Sequence, residues 1–164
     1  MLTLEELKKR VHYNPETGIF TWTYTNVMVN QKVIQGERAD HISKGYYRIG
    51  INRIRYFSAR LAWLYMTGEW PKYHVDHING DPLDNRFVNL RDVTAAINIQ
   101  NQRKPGTKNR SGYLGVSLNK KDGKYHAFIC TNYQTKWLGR YDDPAVAYQA
   151  YLSAKRRLHI GCTI

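Results

Sequence analysis

Cysteine is almost absent from this 164-residue chain: there are two, Cys130 and Cys162, and no CxxC spacing. That excludes a disulfide-stapled scaffold and a cysteine-based zinc site, and makes a reducing, cytoplasmic compartment the expectation. Long apolar runs are missing as well. The cluster "LAWLY" at 61–65 falls far short of the ~20 residues that cross a bilayer. The opening residues read as a polar helix rather than a leader peptide. Acid is scarce: 13 Asp and Glu stand against 25 Lys and Arg, a formal net charge of +12. An excess of that size is the electrostatic footprint of a phosphate-backbone binder. An anionic membrane fits less well, because the basic residues do not collect on one amphipathic helix.

What is present suffices for packed cores, with 42% hydrophobic and 13% aromatic residues. "TLEELKKRVHY" predicts a helix, with Thr3 and Glu6 at capping-box spacing and Leu4, Leu7 and Val11 as an apolar stripe. A turn at "NPETG" and a strand at "IFTWTYT" follow, and residues 26–44 are unpatterned and read as a loop. "YYRIGINRIRYF" predicts a hairpin around Asn52-Arg53. "SARLAWLYMTGEWP" predicts a helix with Ser58 as N-cap, closed by Gly68 and Pro71. "VNLRDV" and "TAAINIQNQ" read as a short strand and a helix capped by Thr94. The stretch "QRKPGTKNRSG" has Pro105, two glycines and no large apolar side chain, as a linker would. Beyond it, "YLGVSL", "KYHAFICT" and "TKWLGRY" predict three strands. A final helix begins with Asp143 as N-cap and Pro144 at its first position.

Against the basic background, "VDHINGDPLDN" (75–85) gathers Asp76, Asp81 and Asp84 around His77. Asp76, with Asn98 on the following helix, offers oxygen donors that suit a hard divalent ion such as Mg²⁺, with Mn²⁺ as an alternative. His77, with a reference pKa near ~6.5, can act as a base at neutral pH. A base, a metal and a held phosphate are what phosphodiester hydrolysis needs. Asp81 and Asp84 read as turn residues whose carboxylates accept backbone N–H bonds. His74 reads as structural or phosphate-facing.

The run "VDHINGDPLDNRFVNLRDVTAAINIQNQ" resembles the HNH motif of phage and intron homing endonucleases. The resemblance implies the ββα-metal fold, with His77 as general base and Asp76 and Asn98 as metal ligands. It makes Asn89 the central asparagine, holding the loop and presenting His77. The last motif letter is Asn98 rather than His, a variation that some homing members share. The preceding segment resembles that of phage HNH proteins. They often read "HRLAW" where this chain has Ala59-Arg60-Leu61, so no role is carried over there. Arg48, Arg53, Arg55 and Arg60 are candidates for phosphate contacts.

Residues 111–159 resemble the Apetala-type, or ethylene-response-factor-type, DNA-binding domain. The likeness rests on Gly115-Val116, Tyr125, Ala127, Ile129, Trp137-Leu138-Gly139, Tyr141 and Ala145 to Tyr151. It implies a three-stranded antiparallel sheet packed on one helix. Alternation puts Tyr125, Ala127 and Ile129 toward the helix and His126, Phe128 and Cys130 outward. Ser117, Asn119, Thr135 and Trp137 join the outer face, where a sheet can enter the major groove. Plant members carry several arginines there and this chain does not, so no sequence preference transfers. Lys120, Lys121, Lys124 and Lys136 would supply backbone affinity, as would Arg103, Lys104, Lys108 and Arg110 in the linker.

The expected fold class is α+β. Residues 1–72 form an N-terminal extension and 73–102 the nuclease motif. Residues 103–112 are a basic linker and 113–164 the sheet domain. The expected function is metal-dependent cleavage of double-stranded DNA by a monomer with no evident protein partner. The alternative is a non-catalytic DNA-binding regulator that keeps the HNH-like fold. RNA binding is a third class, without a recognisable motif.

Overall fold

The computed structural model describes residues 1–28 and 31–164. The chain divides into two compact units, Met1–Thr94 and Ala95–Ile164. The boundary falls inside the segment 73–102 that the sequence reading treats as one motif.

In the first unit, α1 (Leu4–Arg10) starts on the capping box. Thr3 Oγ1 accepts from the Glu6 N–H at 3.2 Å, and Glu6 Oε2 accepts from the Thr3 N–H at 3.0 Å. The helix stops at Arg10, earlier than its apolar stripe suggests. Val11 takes extended angles and opens β1 (Val11–Asn14), paired antiparallel with β2 (Ile19–Trp22). β-branched Val11 is fully buried in that strand, so the same side chain satisfies the core without a further helical turn.

The segment expected to be loop contains β3 (Asn26–Met28), β4 (Gln31–Val33) and β5 (His41–Ser43). Residues 29 and 30 lie outside the described residues. Strands of three residues carry too little alternation to be legible in sequence. β6 (Tyr46–Ile51) and β7 (Ile54–Phe57) form the expected hairpin, with Asn52 and Arg53 both at positive φ, as a type I′ turn requires. β7 runs directly into α2 (Ser58–Thr67), so Phe57 rather than Ser58 occupies the cap and gives no side-chain hydrogen bond. Gly68, left-handed at φ 84°, closes α2. β8 (His74–His77) and β9 (Leu90–Val93) then pair antiparallel, with a 3₁₀ turn at Phe87–Asn89 between them. Leu7, Val11, Phe20, Ile49, Leu61 and Leu64 make the core, and Leu90 brings β9 into it.

The second unit begins with α3 (Ala95–Gln100). The stretch expected as a linker is ordered within this unit. Asn109 Nδ2 donates to the Tyr113 carbonyl at 2.9 Å, and Ser111 Oγ to the Val116 carbonyl at 2.8 Å. β10 (Val116–Leu118), β11 (Tyr125–Thr131) and β12 (Gln134–Tyr141) form a three-stranded antiparallel sheet. α4 (Pro144–Leu158) has Asp143 as its cap, Oδ1 accepting from the Ala145 N–H at 2.6 Å. Ala147, Tyr151 and Ala154 of α4 pack on Val116, Ala127 and Ile129 of the sheet. No helix among the described residues is long and apolar enough to cross a membrane.

One glycine ties the first hairpin to the acid-rich loop. Gly18 has φ 72°, and a Cβ there would lie 2.5 Å from the Asn85 carbonyl carbon and 2.6 Å from the Arg86 nitrogen. Gly36 has φ 85° but open space around it. Gly36→Ala should therefore cost only the left-handed penalty, about 1–2 kcal/mol. Gly18→Ala should cost clearly more, because backbone must move. Urea unfolding of both variants checks this, and equal losses would mean the Gly18 contact is slack.

Candidate active site

β8 and β9 present the first elements of the site. Their register sets Asp76 opposite Arg91 and His77 opposite Leu90. Directly opposed residues share a face of the sheet, so the carboxylate and guanidinium meet. Arg91 Nε donates to Asp76 Oδ2 at 2.8 Å, and its terminal nitrogen lies 2.7 Å from the same oxygen. Asp76 is 7% exposed and His77 8%.

The loop after His77 is held by side-chain amides. Asn89 Oδ1 accepts from the Asn79 N–H at 2.9 Å, while its Nδ2 donates to Asn79 Oδ1 at 3.0 Å and to the Asp84 carbonyl at 2.8 Å. The Ile78 N–H donates to the Asn89 carbonyl, and Gly80, at φ 73°, turns back onto the His77 carbonyl. Asp81 Oδ1 caps the Leu83 N–H at 2.9 Å, a turn role. Asp84 forms a two-point pair with Arg86, at 2.8 and 2.6 Å, and accepts from Asn79 Nδ2. The Arg86 side chain, with help from its backbone N–H, holds the Asp84 carboxyl down at about 2.

His77 itself is oriented by Asn85. The imidazole Nε2 lies 3.0 Å from Asn85 Oδ1, and Asn85 is 2% exposed. The tautomer with the proton on Nε2 is the one that donates to this oxygen. Asn85 is in turn fixed by its backbone: the buried Tyr13 hydroxyl donates to its carbonyl at 2.7 Å. The turn at 14–18 adds a bond from the Phe87 N–H to the Pro15 carbonyl at 3.0 Å. Asn85 and Arg91 are thus site residues that the sequence reading did not single out. Arg91 would follow from the strand register once the loop length is known. No local signal points to Asn85.

The remaining candidates stand in different settings. Asn98 is half-buried on α3, in the second unit. His74 is exposed at the start of β8. Arg60 donates to the Tyr73 carbonyl at 3.1 Å and lies over the Trp70 ring, and Arg48 lies over the Phe57 ring at 4.3 Å. Both help to build the first unit. Arg55 is exposed, and Arg53 lines a cleft of about 270 Å³ with Arg10, Trp22 and Tyr24. Lys104, Lys108, Arg110 and Lys121 are exposed, whereas Arg103 donates to Thr163 Oγ1 at 2.8 Å.

In the sheet of the second unit, Ser117, His126 and Arg140 line up across the three strands, and Phe128 opposes Trp137, which is 62% exposed. Thr135 opposes Cys130 on the same outer side, but Lys136 opposes inward-facing Ile129 and so belongs to the α4 side. Arg140 was missed because a register shift at Ala127/Phe128 resets the alternation along β12. Asp122 moderates the positive charge here. It lies 3.0 Å from His126 Nε2 and 3.8 Å from Arg140, and the Lys124 N–H and His126 hold it below the usual carboxylate range. Lys124 pairs with Asp142 at 2.7 Å, and Asn119 Oδ1 closes the turn onto the Lys121 N–H.

The donor chemistry decides which metal is compatible. No group of three His, Cys, Asp or Glu that could hold an ion exists among the described residues. Zinc, which takes three or four such ligands from protein, does not fit. A hard ion such as Mg²⁺ asks less of the protein, because it keeps much of its shell as water and phosphate oxygen.

Comparison with known proteins bears on the same segment. Residues 56–100 match a family model described as HNH endonuclease, and that stretch carries an HNH endonuclease domain. The chain is also 35% identical over 78 residues to "Protein 3.8" of Escherichia phage T7. That match covers 41% of this chain and 64% of the phage protein, so the chain spans less than two thirds of its relative. No solved structure matches.

Two measurements test the site without any assay of activity. Nitrogen-15 NMR of His77 should report the Nε2-protonated tautomer in the wild type and a mixture in Asn85→Ala. A mixture in both would remove Asn85 from its orienting role. The Asp84 carboxyl, ordinarily 3.8 and here about 2, contributes stability above about pH 4 that is lost as pH falls toward 2. Asp84→Asn should therefore be less stable than wild type at pH 7, with the gap shrinking between pH 4 and 2 in urea titrations. A gap that stays constant with pH would show that the Arg86 pair does not stabilise the loop.

Proposed function

We propose that this protein is a metal-dependent DNA endonuclease of the HNH homing type, hydrolysing a phosphodiester bond of double-stranded DNA. The observation that carries the reading is His77, held by Asn85 beside Asp76 inside the segment that matches the HNH family model. A buried histidine whose ring is held by a carboxamide is a base in a fixed orientation. That suits proton abstraction from water. Asn89 keeps the loop closed behind it through three side-chain bonds.

Asp76 and Asn98 would hold the ion, Mg²⁺ or Mn²⁺, which when bound supplies Lewis-acid stabilisation of charge developing on the phosphate. Arg91 fixes the Asp76 carboxylate, so that its orientation does not depend on the ion. His77 takes the proton of the attacking water, and Asn85 Oδ1 shares the resulting positive charge. The outer sheet face, with Ser117, His126, Thr135, Trp137 and Arg140, binds the duplex together with the exposed basic residues Lys104, Lys108, Arg110 and Lys121. The chain acts as a monomer on this reading.

His77→Ala should lower plasmid nicking by ~10²-fold or more, the order expected for a general base, with duplex affinity nearly unchanged. Excess EDTA should silence the wild type. Wild-type cutting by the mutant, or full activity in chelator, would overturn the mechanism. Unchanged duplex binding with no cutting by the wild type at any Mg²⁺ or Mn²⁺ concentration would instead favour a DNA-binding protein without catalysis.

A further inference from the structure

The helix that carries Asn98 has six residues and buries none of them. A helix so short has no stability of its own, because nucleation is not offset by so few added bonds. Its support comes from the far end of the chain. Gly161 is buried against it: the Gly161 N–H donates to Gln100 Oε1 at 2.9 Å. A Cβ at Gly161 would lie 2.4 Å from the Ile97 carbonyl oxygen and 2.9 Å from Ile97 Cγ2. Two residues further on, the Thr163 hydroxyl donates to Asn101 Oδ1 at 2.7 Å and accepts from Arg103 at 2.8 Å. Asn101 is buried, and its N–H closes the last turn of α3 onto the carbonyls of Ile97 and Asn98, at 3.3 and 3.1 Å. Lys155 of α4, 1% exposed, donates its ammonium to the Gln102 carbonyl.

These contacts all fall on residues 97–102, the last helical turn and the residues that follow it. The peptide carbonyl of Asn98 is itself part of the turn that Asn101 closes. Thr163 and Asn101 are 62 positions apart, so this contact is tertiary rather than local. We propose that Gly161 and Thr163 are positioning residues for Asn98, fixing the helix from which its carboxamide is offered to the metal. The proposal rests on the reading of Asn98 as a ligand given above. It implies that the C-terminal segment belongs to the catalytic apparatus as well as to DNA binding.

The test uses the full-length chain with Thr163→Val, Thr163→Ser, Gly161→Ala and Asn98→Ala. Two quantities are read: hydrogen exchange of the amides at 97–102, and the Mg²⁺ concentration for half-maximal nicking of plasmid DNA. Duplex affinity in EDTA serves as the control. Thr163→Val and Gly161→Ala should each speed exchange by about fivefold or more, the factor one lost hydrogen bond commands. Both should raise the Mg²⁺ requirement several-fold, with duplex affinity unchanged and Thr163→Ser behaving as wild type. Position 163 is exposed, so its variants remain informative if Gly161→Ala does not fold. Unchanged exchange in Thr163→Val would overturn the clamp outright. Faster exchange with an unaltered Mg²⁺ requirement, while Asn98→Ala raises it, would overturn its positioning role. If Asn98→Ala itself leaves the Mg²⁺ requirement unchanged, the ligand reading fails, and the exchange data still judge the clamp separately.

Discussion

The site depends on one side chain that never needs to touch a substrate. Asn89 has a carboxamide with an acceptor at one end and donors at the other, and all are engaged across the loop. A carboxylate in its place would lose both donor bonds, and an aliphatic residue would leave the Asn79 N–H and the Asp84 carbonyl without this partner. With the loop closed, Asn85 arrives beside His77, and β9 lies in register with β8. The orientation of the imidazole is thus a consequence of amide chemistry placed several residues away.

The acid cluster in a strongly basic chain has a corresponding physical account. Near His77 each carboxylate has its own task. Asp76 pairs with Arg91, Asp84 with Arg86, and Asp81 accepts a backbone N–H. Paired carboxylates let the loop carry fixed hydrogen-bond acceptors without a net negative field that would repel a polyanion. In the second unit Asp122 plays a similar part for His126 and Arg140. The outer sheet face is consequently more aromatic and hydroxylic than cationic.

The N-terminal hairpin and the C-terminal tail share a logic. Gly18, Pro15 and Tyr13 press on residues 85–87 within the first unit. Gly161 and Thr163 hold residues 97–101 within the second. The motif is made of short elements, none of which buries enough apolar surface to be stable alone. Segments distant in the chain supply the missing contacts through backbone groups and small side chains.

Much of this was legible in residue order, because the relevant signals are local. The capping box at Thr3, the Asn52-Arg53 turn, the left-handed Gly68 and the Asp143-Pro144 start of α4 each follow from a few neighbouring residues. The placing of charge was legible too, and 75–102 was legible through its resemblance to the HNH motif. What the sequence could not determine was which polar groups meet. Arg91 reaches Asp76 only because a loop of set length fixes the strand register, and Asn85 reaches His77 only because the Tyr13 hairpin presses on its backbone. The extra residue in β12 moved Lys136 to one side and Arg140 to the other, against simple alternation. Carboxamides and hydroxyls recur throughout the chain, and any of them can bond to any other. Only the tertiary structure, by bringing positions 62 or 72 apart into hydrogen-bond range, selects the pairs that exist.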